Sequence, residues 1–141
     1  MKKIITTLNT IFLAASITVF ISCGNNLKLK APTFTKDFNQ TMKEIAETGN
    51  FSDVSFKLST NQTNSEKPTY ELDLKLFNGK NLPEDERRLD SIAKNAATIF
   101  KNSIQNINDY DWISIIFDSD DGRAVDITKK NVFVYRPNQL K

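Results

Sequence analysis

The chain has 141 residues, 39% hydrophobic and 26% charged, enough for one small domain and too few for a multidomain enzyme. Its 19 Lys and Arg exceed its 17 Asp and Glu only through Lys2 and Lys3, so no basic field marks a nucleic-acid-binding surface. It has no histidine and a single cysteine, which removes the commonest general base, the commonest metal ligand and any internal disulfide.

The chain begins as a targeting segment does. Lys2 and Lys3 form a short basic region, Thr6, Thr7, Asn9 and Thr10 a weakly polar stretch, and Ile11 to Ile21 an apolar core ending at Ser22-Cys23-Gly24. A membrane-spanning helix needs roughly 20 mostly apolar residues, about twice this core, and no basic cluster abuts its far side. An ordinary secretory peptide wants small residues before the cut, and Phe20 is bulky. Phe20-Ile21-Ser22-Cys23 resembles the lipobox of bacterial lipoproteins: a large apolar residue, a tolerant position, a small residue and cysteine. Phe20 stands where that family usually has leucine and keeps the apolar character.

The resemblance covers residues 1–24. It implies that 1–22 are a signal peptide, that the Cys23 sulfur receives a diacylglycerol, and that signal peptidase II cuts before Cys23, whose new amino group is then acylated. Each buried methylene contributes about 0.8 kcal/mol, so two or three chains anchor stably where one does not. Gly24, in place of aspartate, resembles lipoproteins sent on to an outer membrane in cells that have one. The implied location is the bacterial cell envelope, with the membrane as the first partner.

Removal of the signal leaves 17 Lys and Arg against 17 Asp and Glu, a neutral chain. Residues 23–33 read as the lipidated cysteine and a short tether in which Lys28 and Lys30 solubilise the chain; fully extended, ten residues reach about 35 Å. Residues 34–141 read as one domain. Phe34, Phe38, Met42, Ile45 and Ala46 recur at spacings of three and four, predicting a helix from Phe34 to Thr48, capped by Thr33 or Thr35 and ended by Gly49. Val54, Phe56 and Leu58, then Tyr70, Leu72, Leu74 and Leu76, alternate with polar residues and predict an antiparallel hairpin across the polar 61–68 loop.

Asn78-Gly79-Lys80-Asn81 predicts a turn. Asn81, Pro83 and Glu84-Asp85-Glu86 predict the start of a second helix about 24 residues long, its inner face carrying Leu89, Ile92, Ala93, Ala96, Phe100, Ser103 and Ile107. Trp112 to Phe117 is apolar at nearly every position and predicts a strand buried on both faces or a covered rim. Val125 and Ile127, then Val132 to Tyr135, supply one or two closing strands. The expected fold is α+β, order α-β-β-α-β-β, with two helices on one face of an antiparallel sheet of four to five strands.

Asp118, Asp120 and Asp121 beside Gly122 have the composition of a calcium loop without its spacing. Counted from Asp118, Gly122 is fifth and Lys129 twelfth, where an EF-hand needs glycine sixth and glutamate twelfth. A turn accounts for them. The short Asn108-Asp109-Tyr110 connection makes the second helix antiparallel to the third strand. Glu84, Asp85 and Glu86 then lie at the end of Asp118, Asp120 and Asp121, a candidate acidic surface partly offset by Arg87, Arg88 and Arg123, while Asp109 and Asp111 sit roughly 20 Å away.

Tyr110, Trp112 and Tyr135 are candidate aromatic contacts, against the commoner role of strand aromatics in packing. Asn39-Gln40-Thr41 and Asn61-Gln62-Thr63 match the glycosylation sequon, which carries no weight in a bacterial lipoprotein. The expected function is a lipid-anchored, non-catalytic binding or assembly module with an envelope protein partner and no cofactor, metal or nucleic acid. The alternatives are a small envelope enzyme using carboxylates, which needs those acids in an apolar pocket, and an inhibitor or immunity-type protein.

Overall fold

In the computed structural model, which describes residues 30–61, 67–118 and 131–141, two helices lie on one face of a four-stranded sheet. Cys23 and the signal residues lie outside the described residues. So do most of the 61–68 loop, Asp120, Asp121, Arg123 and the Val125–Ile127 stretch from which a fifth strand was expected.

The first helix, α1, spans Phe38–Glu47, four residues shorter at its start than the periodicity predicts. Its cap is Asp37, whose carboxylate accepts from the Gln40 N–H at 2.9 Å, in place of Thr33 or Thr35. The backbone of those threonines is engaged elsewhere: the Thr35 N–H donates to the Ser103 carbonyl and the Gln105 N–H to the Thr33 carbonyl, each at 2.8 Å. Phe34 therefore pairs as an antiparallel bridge with Ile104. At the other end Thr48 is the cap, and Gly49 is buried where a Cβ would meet the Phe51 ring at 2.6 Å. A Cβ at Gly79 would likewise meet the opposite edge of the same ring at 2.6 Å, so the two glycines leave the slot that Phe51 fills.

Strands β1 (Asp53–Asn61) and β2 (Thr69–Phe77) form the expected antiparallel hairpin, in register from Asp53 opposite Phe77 to Asn61 opposite Thr69. Asn78 and Asn81, at φ 51° and 57°, turn the chain in a left-handed conformation that asparagine tolerates. The second helix, α2, spans Glu86–Asn102, 17 residues where about 24 were expected. Asp85 caps it, accepting from the Arg88 N–H at 3.0 Å, so Pro83 and Glu84 precede the helix. Ser103 closes it by donating to the Phe100 carbonyl at 2.6 Å, and Ile107 belongs to a separate 3-10 turn over Ile107–Asp109.

Strands β3 (Trp112–Asp118) and β4 (Val132–Tyr135) complete the sheet in the order β1-β2-β3-β4. The expectation of a wholly antiparallel sheet fails at its centre: β2 and β3 run parallel, Glu71 opposite Trp112 through Phe77 opposite Asp118. Both connections to α2 are short. The helix carries the chain back along the sheet, and the next strand must start at the end where β2 started. β3 is thus an interior strand between β2 and β4, not a rim, and Ile113, Ser114, Ile115 and Phe117 are buried while Trp112 and Ile116 are half-buried.

Three rows of side chains face the helices. Leu58, Leu72, Ile113 and Tyr135 align across the sheet, then Phe56, Leu74, Ile115 and Phe133, then Val54, Leu76 and Phe117. Against them α2 turns the fully buried Ala93, Ala96, Ala97 and Phe100, and α1 turns Ile45. Phe100 meets Phe34 and Phe56 at ring separations of 6.1 and 5.8 Å, which ties the N-terminal segment, β1 and α2 together. Replacing Phe100 by alanine is expected to cost about 3–5 kcal/mol, and Asp85 by alanine about 1 kcal/mol, both read from urea unfolding midpoints.

Candidate functional site

The segment before α1 is fastened to the α2–β3 connection. The Asn106 side-chain amide accepts from the Thr33 N–H at 2.7 Å and donates to the Ala31 carbonyl at 3.2 Å, matching both polar groups of a backbone strand. The Tyr110 hydroxyl donates to the Lys30 carbonyl at 2.6 Å. Lys30 Nζ reaches Asp109 at 3.1 Å, and the hydrogen bonds from Lys30 and then Asn106 hold the Asp109 carboxyl below its ordinary range. That ion pair is exposed and contributes little alone. The buried phenol and the paired amide carry the attachment. Residues 30–33, expected as free tether, belong to the domain.

Beside this attachment opens a cleft of about 450 Å³ lined by Thr69, Asn108, Tyr110, Asp111, Trp112, Arg136, Pro137 and Asn138. β3 positions Trp112 on the sheet face away from the helices, and the pairing of Ile113 with Tyr135 brings Arg136 alongside it. The Arg136 guanidinium lies over the indole, 4.7 Å from its centroid, an attraction of cation and ring face. Asp111 is held by two bonds to Tyr70: its N–H donates to the Tyr70 carbonyl at 2.8 Å, and its carboxylate accepts from the Tyr70 N–H at 2.9 Å. A smaller hollow of about 120 Å³ lined by Lys30, Tyr70, Asp109 and Tyr110 adjoins it, so Tyr110 is the wall between the attachment and the cleft. The cleft thus offers one cation, one anion and one indole within a mostly polar lining.

The three aromatic candidates separate. Tyr110 and Trp112 meet at the cleft, but Tyr110 is only 5% exposed. Tyr135 points to the helical face, where its hydroxyl donates to the Asp90 carboxylate at 2.9 Å, and burial together with that acid pushes the phenol up. Tyr135 ties β4 to α2 and takes no part in the cleft, because strand alternation sends neighbouring residues to opposite faces. The same alternation makes Arg136 the cleft residue.

Asp120 and Asp121 lie outside the described residues, and the other acidic candidates do not converge. Asp85 caps α2, Glu84 and Glu86 flank it on the helical side, and all three are exposed. Asp118 ends β3 on the other face and pairs with Lys75 at 3.5 Å. Among the described residues no three carboxylates or cysteines gather closely enough to hold a metal ion, and no helix is long and apolar enough to cross a membrane.

Sequence reasoning did not single out Glu71, opposite Trp112 on the open face. Burial raises its carboxyl above the ordinary value, and the charges of Asp73 and Asp111 push the same way. A carboxyl with a raised folded-state pKa destabilises the fold once ionised: the cost is absent below the unfolded value and complete above the folded one. Glu71→Gln is therefore expected to melt at a higher temperature than the wild type near neutral pH. The difference should vanish as the pH falls below the ordinary glutamate value of 4.5.

Comparison of the chain with protein-family models, with curated proteins and with solved structures finds no match.

Proposed function

We propose that the protein is a lipoprotein of the bacterial cell envelope, held by acyl chains on Cys23, that acts as a non-catalytic binding module through the Trp112–Arg136 cleft. The observation that carries this reading is the shared wall at Tyr110. The phenol that fastens Lys30 also bounds the cleft, so whatever the cleft binds is bound beside the point where the anchored chain joins the domain. The lipobox-like sequence supports the anchor, and the lack of histidine, with Cys23 committed to lipid, leaves few groups for acid–base or nucleophilic work.

A hydrolase using paired acids needs them converging in a dry pocket. Among the described residues Glu71 is the one carboxyl raised by burial; its neighbour Asp73 lies on the open sheet face, and Asp111 precedes β3 with its carboxylate accepting from the Tyr70 N–H. Binding is the better use of this geometry.

Cell fractionation with intact-mass measurement tests the reading. The wild type is expected in the membrane fraction, released only by detergent, with a mature terminus at acylated Cys23. Cys23→Ser is expected uncleaved and without acyl groups. A photo-crosslinking residue at Asn138, on the cleft rim, is expected to give an adduct of defined mass in cells, and one at Glu86 none. Cleavage elsewhere than before Cys23, or no adduct at the cleft, overturns the proposal.

A further inference from the structure

Resting on the lipoprotein reading, we infer that the Trp112–Arg136 cleft is turned toward the bilayer that holds the acyl chains and seats its phospholipid headgroups. Cys23 precedes Lys30 by seven residues, so at no more than about 3.6 Å per residue the anchor lies within about 25 Å of Lys30. Lys30 is not a free point on that path: Tyr110, Asn106 and Asp109 hold residues 30–33 against the start of β3. The end of the domain carrying Trp112 is therefore the end nearest the anchor. Asp118, six residues along β3, lies about 20 Å farther on, with the α2 cap at Asp85 toward that same far end. So short a tether presents one end of the domain to the surface at high local concentration.

The chemistry of that end suits a headgroup layer. An indole with a guanidinium stacked on it is apolar in body and charged at its rim, and tryptophan settles at the level of lipid headgroups. Among the cleft's lining residues, Arg136 is the only cation and Asp111 the only anion. A zwitterionic phospholipid offers the complement, a phosphate for Arg136 and an ammonium for Asp111. A protein partner would need none of this to sit beside the anchor. A bilayer is already there.

Trp112 is the only tryptophan in the chain and reports its own position. The acylated protein is reconstituted into phosphatidylethanolamine–phosphatidylcholine vesicles brominated in the acyl chains, and its emission is compared with that in unbrominated vesicles. Trp112 at the headgroup boundary is expected to be quenched, and Arg136→Gln to lose less of its emission. The double variant Phe77→Trp, Trp112→Phe moves the probe to the far end of the sheet, where little quenching is expected. Unquenched Trp112, or equal quenching at both ends, overturns the inference. So does a Trp112 that stays unquenched while the cleft crosslinks to a protein in cells. The mass of the same sample separates the failures: without acyl groups on Cys23 the lipoprotein reading falls and takes the inference with it, whereas acylated protein with unquenched Trp112 removes the orientation alone.

Discussion

The packing of α2 on the sheet is the constraint on which the rest depends. Its inner face carries Ala93, Ala96 and Ala97 at no exposure, and side chains this small let the helix axis approach β3 and β4 closely. Phe100, one turn farther on, fills the space that opens toward β1. With both connections short, a helix laid along the sheet in this way forces β2 and β3 parallel, since the chain has been carried back to its starting end. Parallel pairing buries the central strands on the helical side, and Leu72, Leu74, Leu76, Ile113 and Ile115 accordingly form the driest part of the core.

The same helix separates the two ends of the molecule. Its start, capped by Asp85, lies where β2 and β3 finish, and its last turn delivers Ser103 to Gln105 to the end where those strands begin. There the N-terminal segment is captured, first by the backbone of Ser103 to Gln105 and then by Asn106 and Tyr110. One end therefore collects the chain's attachment, the cleft and Trp112, while the other collects a capped helix start and the Lys75–Asp118 pair. At the far end Asp85 is used as a cap and Asp118 in a pair with Lys75, each a structural use of a carboxylate.

Local periodicity was legible where an element's face is decided by its own residues. Val54, Phe56 and Leu58 alternate because one side of β1 is wet, and β4 was bounded by its apolar and aromatic residues from Val132 to Tyr135. Helix starts were less legible, because several residues can cap and only one does. Thr33 and Thr35 are as good as Asp37 by composition, but their backbone groups are taken by Ser103 and Gln105, 68 or more residues away in sequence. The site was legible in part. Trp112 and Tyr110 stand out as strand aromatics, whereas Arg136 enters only through the register of β3 with β4, and Asn106 through a bond to a segment 73 residues distant.

What the sequence determined by itself is what depends on neighbours in the chain: the α+β class, the order of helices and strands, and the inner face of the alternating strands. Contacts between elements were decided only in the folded chain. The direction of β3 relative to β2, the seating of Lys30 to Thr33 on the domain, the loss of Tyr135 to the core and the gain of Arg136 by the cleft all follow from which surfaces α2 brings together. Burial rewards shape across the whole core at once, and no window of local residues contains that information.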